Sequence, residues 1–206
     1  MHRVSWNYWN TAEISDFAKK IVEDRQEPNQ DSPQGELFPE IFEAMHGPQP
    51  EVSAFPDYPA IAAWVANRIQ ILHEEEFYPL AEIAVIYTMR SPEQDTGPNM
   101  NLPRLLQSSL DARGILNNWI AEDYRAKRSY DVTTESVTIS TIHSLKGFDY
   151  ACAFVLGLDW LEPGSRWNTE QIRKLAYVAV TRAREQLFIP YLTKSHLIEG
   201  LIGGKI

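Results

Sequence analysis

The sequence predicts an α/β domain: a mainly parallel sheet with helices on both faces, preceded by a helical arm and a proline-rich connection. Two observations carry this. Apolar runs of β type, "AEIAVIYT" and "ACAFVLGL" among them, lack polar alternation, as strands buried on both faces do. Segments of helical period stand between them, the pattern of a doubly wound sheet. A chain of 206 residues suits one main domain, since single domains usually run to ~100–200 residues.

In chain order, residues 10–25 place Ile14, Phe17, Ala18, Ile21 and Val22 at helical spacing, and Asn10 or Thr11 can cap the first turn. Residues 27–50 carry Pro28, Pro33, Gly35, Pro39, Gly47, Pro48 and Pro50 and read as a long connection, with one helical turn at residues 40–45. "EVSAF" predicts a strand, and "PAIAAWVANRIQILHEEE" a helix with Ile61, Trp64, Val65, Arg68, Ile69 and Leu72 along one side and a solvated acidic end. "AEIAVIYT" predicts a buried strand, "NLPRLLQSSLDARG" a helix ending at Gly114, and "ILNNWI" a weaker strand. "SVTISTI", "ACAFVLGL" and "EQLFIPYL" are three further strands, and the helix "NTEQIRKLAYVAVTRA" precedes the last. The expected division is 1–26 as an N-terminal segment, 27–50 as the connection and 51–206 as the main domain.

Composition is that of a folded protein: 44% hydrophobic, 23% charged and 11% aromatic. No run approaches the ~18–20 apolar residues of a membrane span, and the N-terminus lacks the apolar stretch of a signal peptide, so no membrane is expected and the cytoplasm is the expected site of action. A net charge of −9 opposes general polyanion binding, so any nucleic-acid contact must be local. The lone Cys152 lies in an apolar run and is assigned to packing. The five histidines are scattered, and no protein-held metal is expected.

One stretch carries chemistry-bearing side chains out of proportion to its length. Where the strand "SVTISTI" ends, His143, Ser144 and Lys146 follow at once, and Gly147 permits a turn or a close ligand approach. In doubly wound sheets ligands bind outside the carboxyl ends of the strands, the position this stretch is expected to occupy. Hydroxyls, backbone amides and a cation are the groups that phosphate contacts need.

"TIHSLKGFDY" followed by "RKLAYVAVTRAREQL" resembles motifs V and VI of the UvrD/Rep-like superfamily 1 DNA helicases. "NYWNT" at the N-terminus resembles their motif IV, in which Asn-Tyr-Arg is followed by Ser or Asn and then Thr. The resemblance covers nearly the whole chain as the second RecA-like motor domain, of P-loop NTPase type. No G-x-x-x-x-G-K-[ST] loop and no strand ending in Asp-Glu occurs, so the groups that cradle ATP phosphates and hold magnesium are not in this sequence. The interval between "AEIAVIY" and "SVTISTIH" is too short for the large helical insertion of full-size family members.

The resemblance implies roles residue by residue. Arg182 matches the arginine that stabilises charge on the γ-phosphate, the catalytic assignment. Tyr8 matches the tyrosine that stacks on adenine, Gly147 the family glycine, and Asp149 stands where the family has a glutamate near the ribose. Thr141, His143, Ser144 and Lys146 match a loop that touches the single-strand backbone and senses the nucleotide. Trp9 departs from the pattern, standing in place of a second arginine: either Arg182 acts alone, Arg3 substitutes, or hydrolysis is impaired. The implied cofactor is ATP with Mg2+, the metal held by a first RecA-like domain, covalent or in trans, that carries the phosphate-binding loop. The other implied partner is single-stranded or partly duplex DNA. The chain alone is expected not to hydrolyse ATP. The alternative is a helicase-derived binding module for DNA or a protein that never turns over nucleotide.

Overall fold

The computed structural model describes residues 10–22, 45–88, 102–120, 135–145, 147–164 and 167–203. Tyr8, Trp9, Lys146 and most of the connection, with the helical turn expected there, lie outside them. Six strands form one sheet: β1 (Glu51–Ala54), β2 (Ile83–Tyr87), β3 (Asn117–Ile120), β4 (Val137–Thr141), β5 (Tyr150–Leu156) and β6 (Ala183–Tyr191). Their order is β1-β6-β5-β2-β4-β3, and every neighbouring pair is parallel. The expected mainly parallel sheet is thus parallel throughout.

Among the described residues five helices cover it: α1 (Ala12–Val22), α2 (Tyr58–Glu74), α3 (Leu102–Asp111), α4 (Thr169–Val180) and α5 (His196–Gly203). Strand side chains alternate between two cores. Ala84 and Ile86 of β2, Ala153 and Val155 of β5, and Leu187 and Ile189 of β6 face the core that also takes in α1, α4 and α5. Ile83, Val85, Tyr87, Cys152, Phe154, Leu156 and Phe188 face the core made with α2 and α3. A register shift between Tyr150 and Cys152 lets Ala151 and Cys152 share this second face. Burial pushes the Cys152 thiol far above its ordinary value, which fits packing and not nucleophilic use.

Sequence chemistry sets the helix ends. Asp57 caps α2 by accepting from the Ala60 N–H at 2.8 Å, with Pro59 in the first turn. Asn168 opens α4 with a capping box to Gln171, two reciprocal bonds of 2.8 and 3.0 Å. Beneath α2 the rings of Phe154 and Phe188 stack at 4.6 Å, and Trp64 meets Phe154 edge-on at 5.9 Å. Such pairs add about 0.5–1.5 kcal/mol each beyond the area they bury.

Four sequence expectations are corrected. The strand expected from Glu185 begins at Ala183, and α4 stops at Val180, because Thr181 already lies at the helix cap. The acidic end of α2 is not simply solvated: Glu76 pairs with Arg68 at 2.7 Å and accepts from Gln186 at 2.7 Å. Neither Asn10 nor Thr11 caps α1 with its side chain, since the Asn10 amide is used elsewhere and Thr11 Oγ1 is buried without a partner. The short C-terminal α5 was not expected.

Candidate functional site

The sequence-predicted residues fall into two groups joined by one loop. β4 ends at Thr141, and the connection 142–149 runs from the carboxyl end of β4 to the amino end of its parallel neighbour-but-one, β5. Thr141 stands level with Tyr87 and, through it, with Leu156, at the far end of β5 from Tyr150. At ~3.3 Å per residue the loop therefore descends about 20 Å along the strand direction. It does so pegged to one face of the sheet by Ile142 and Leu145, both buried in the core that α1, α4 and α5 share.

At the upper end, the Thr141 hydroxyl donates to Ser144 Oγ at 3.1 Å and accepts from the Ser144 N–H at 3.3 Å. The Ser144 N–H also meets the Thr141 carbonyl at 3.1 Å. This tight turn brings Thr141, His143 and Ser144 together, burying Thr141 and leaving the His143 imidazole exposed.

At the lower end stand Gly147, Phe148 and Asp149, beside Arg182. Gly147 adopts φ +94°, a conformation a side chain disfavours. The Tyr150 N–H donates to the Arg182 carbonyl at 2.9 Å, which ties the start of β5 to the start of β6. The Arg182 side chain folds back on its own domain. Its Nε donates to the Val178 carbonyl at 3.1 Å and its Nη1 to the Phe148 carbonyl at 3.2 Å. Nη1 also lies 2.9 Å from Asp149 Oδ1, but off the N–H axis, so this contact is an ion pair and not an aligned hydrogen bond. The two side chains are 15% and 23% exposed, intermediate between a surface pair and a buried one. Among the described residues Nη2 has no partner, leaving its N–H groups for an incoming anion.

The structure therefore corrects the expectation that the whole stretch lies at the carboxyl ends of the strands. Thr141, His143 and Ser144 do; Gly147, Asp149 and Arg182 lie at the amino ends of β5 and β6. The cause is that the short loop crosses the sheet face through successive turns, closed by the bonds from the Ser144 N–H to the Thr141 carbonyl and from the Phe148 N–H to the Leu145 carbonyl. Tyr8 and Lys146 lie outside the described residues.

Sequence reasoning missed Asn10 as a site residue. Its side-chain amide donates to the carbonyls of Thr181, at 3.1 Å, and of Ala183, the two residues that bracket Arg182. The Thr11 N–H donates to the Arg184 carbonyl at 2.8 Å. The signal was present in the fourth position of "NYWNT", Asn10, which is docked on the turn that holds Arg182. Two nearby tryptophans are used in packing: Trp119 donates to the Tyr87 hydroxyl at 2.9 Å, and Trp160 meets Tyr58 edge-on at 5.4 Å.

Comparison with known proteins agrees with this geometry. A crystal structure of the C-terminal domain of a possible DNA helicase from Lactobacillus plantarum WCFS1 superposes with a TM-score of 0.58 at 18% identity, covering 94% of this chain and 92% of that one, and so shares its fold. RecBCD enzyme subunit RecB of Chlamydia pneumoniae is 37% identical over 73 residues, 35% of this chain and 7% of that protein. ATP-dependent DNA helicase Rep of Buchnera aphidicola subsp. Acyrthosiphon pisum is 34% identical over 65 residues, covering 29% of this chain and 10% of that protein. ATP-dependent DNA helicase PcrA of Staphylococcus aureus strain Mu50 is 34% identical over 73 residues, 32% and 10% of the two chains. The aligned segments span about a tenth or less of these relatives' lengths. The model of the UvrD-like helicase C-terminal domain matches residues 90–194, half of the chain and all of the loop and turn described above. The chain belongs to the UvrD-like helicase C-terminal domain family.

Proposed function

We propose that this chain is the C-terminal motor domain of an ATP-dependent DNA helicase or translocase that moves 3′ to 5′ on single-stranded DNA. ATP lies between it and a first RecA-like domain that supplies the phosphate-binding loop. The observation that carries the reading is Arg182: a guanidinium fixed at Nε and Nη1 by its own domain, with Nη2 left over. Phosphoryl transfer spreads charge over the γ-phosphate oxygens, and an arginine brought from a facing domain is worth roughly 10³–10⁵ in rate. Domain closure carries Nη2 to that charge. Mg2+ arriving with ATP is held by the facing domain.

The loop 142–149 supports the rest of the reading. Its upper end offers the Thr141–Ser144 turn, the exposed His143 and Lys146 to a nucleic-acid backbone, and its lower end reaches Arg182. A strand contact at one end and a nucleotide contact at the other are joined by a single short segment. Tyr8 stacks on the adenine, and Asn10, two residues on, donates to the Thr181 carbonyl beside Arg182.

The test is ATP turnover. The isolated chain hydrolyses no ATP, the assembly with its first domain does so in a DNA-stimulated manner, and Arg182→Ala lowers that turnover by about 10³-fold or more. Turnover by the isolated chain that Arg182→Ala abolishes would refute the division of labour. An assembly that binds DNA without turnover would establish the binding-module alternative.

A further inference from the structure

We infer that Asp149 is a positioning residue for Arg182, spent on orienting the guanidinium and not on holding the nucleotide's ribose. The inference rests on the reading of Arg182 given above and assigns a different task to its neighbour. Three contacts hold the guanidinium at two of its nitrogens: Nε to the Val178 carbonyl, Nη1 to the Phe148 carbonyl, and Nη1 against Asp149 Oδ1 at 2.9 Å. Two are neutral carbonyls fixed by backbone. Asp149 supplies the only charge opposite Arg182 among the contacts the structure gives it.

The carboxylate is committed to this pair. Its Oδ1 is buried, has no aligned hydrogen bond, and faces Nη1, so turning it toward a sugar would leave a partly buried guanidinium without its counter-ion. An aspartate also reaches one methylene less far than the glutamate found at this position in the resembling helicases. The backbone enforces the arrangement. Gly147 at φ +94° turns the chain immediately before Phe148 and Asp149, and the bond from the Tyr150 N–H to the Arg182 carbonyl sets the two segments side by side. Asp149 thus neutralises and orients the arginine at Nη1 while Nη2 stays free for phosphate. A guanidinium with fewer fixed contacts would sample more rotamers, and misplacement by about 1 Å can cost about 10²-fold in rate.

A double-mutant cycle on ATP turnover by the assembled helicase separates the two roles. Asp149→Asn keeps the shape and removes the charge; Asp149→Ala removes both. For a positioning residue, each variant lowers kcat by roughly 10–100-fold with KM for ATP little changed. The ratio of kcat/KM for ATP to that for 2′-deoxy-ATP stays as in the parent. Asp149→Ala combined with Arg182→Ala is then no slower than Arg182→Ala alone, because the carboxylate acts only through the arginine. A rise in KM with collapse of the ATP to 2′-deoxy-ATP ratio would make Asp149 a ribose ligand and overturn the inference. So would Asp149 effects that persist undiminished in the Arg182→Ala background. If Arg182→Ala itself leaves turnover intact, the reading of Arg182 fails instead, and the cycle distinguishes that outcome. Equal urea midpoints for parent and variants exclude loss of fold as the cause.

Discussion

At the residue scale, the site depends on a few backbone choices that a single methyl group would upset. Gly147 is the clearest. An added Cβ meets nothing within 4 Å, so there is no packing reason for glycine there; the reason is φ +94° alone. Gly147→Ala therefore costs the intrinsic price of a left-handed conformation, about 1–2 kcal/mol, read as a lower urea midpoint with unchanged m-value. If instead the stability is unchanged and the loop simply relaxes, Arg182 should lose its contact with Phe148, and turnover by the assembly would fall without loss of fold. A glycine in a polar turn is easily read from sequence as a turn residue. Its sign of φ, and hence which atoms it sends toward Arg182, is not. The same applies to Phe77, a bulky residue at φ +61° and 82% exposed at the end of α2, where the sequence offers no glycine to announce the left-handed turn.

At the element scale, α1 is fastened to the sheet by more than its apolar stripe. Ile14, Phe17, Ala18 and Ile21 are buried as their spacing predicts, because a helical period of apolar residues has one physical outcome in water. What the period cannot specify is the polar latch at its start. Glu13 accepts from the Gly47 N–H at 2.8 Å and lies 2.9 Å from His46 Nδ1. Gly47 is needed for close approach, since a Cβ would stand 2.7 Å from Thr11 Cγ2 and 3.1 Å from the Glu185 carbonyl. The His46 contact first, then the Gly47 N–H and Glu13's own backbone N–H, hold the Glu13 carboxyl down at about 2, against an ordinary 4.5. A folded-state pKa below the unfolded one means stability that is present above about 4.5 and lost as pH falls toward about 2. Glu13→Gln is expected to flatten that part of the acid limb, so that parent and variant midpoints converge as pH drops from 4.5 to 2; parallel acid limbs would count against the latch. The parallel strands were legible for the same reason as the helix faces: β2 and β5 are buried at every position. The latch, the Asn10 bridge and the crossing of the sheet by residues 142–149 were not, because they pair residues distant in sequence largely through backbone N–H and carbonyl groups that nearly every amino acid carries.

At the scale of the whole molecule, the charge balance decides what kind of nucleic-acid contact is open to it. A net charge of −9 repels a polyanion everywhere except where cations are concentrated, and the proposed contact offers Lys146 beside the His143 imidazole. The rest of that turn is neutral: the hydroxyls of Thr141 and Ser144 and backbone N–H groups. Affinity for single strands falls with salt at a slope of about −0.7 for each phosphate neutralised. One or two neutralised phosphates give a slope between about −0.7 and −1.4, shallow for a DNA-binding protein. The isolated chain is therefore expected to bind a short single strand weakly, with that shallow slope, and Lys146→Ala should reduce it by roughly 0.7. His143→Ala should also weaken binding, since the exposed imidazole offers a hydrogen-bonding group to the strand's phosphates. Fluorescence anisotropy across a salt series measures all three. A steep slope insensitive to Lys146→Ala would mean that another surface holds the strand, and the loop 142–149 would then carry no signal from DNA to Arg182.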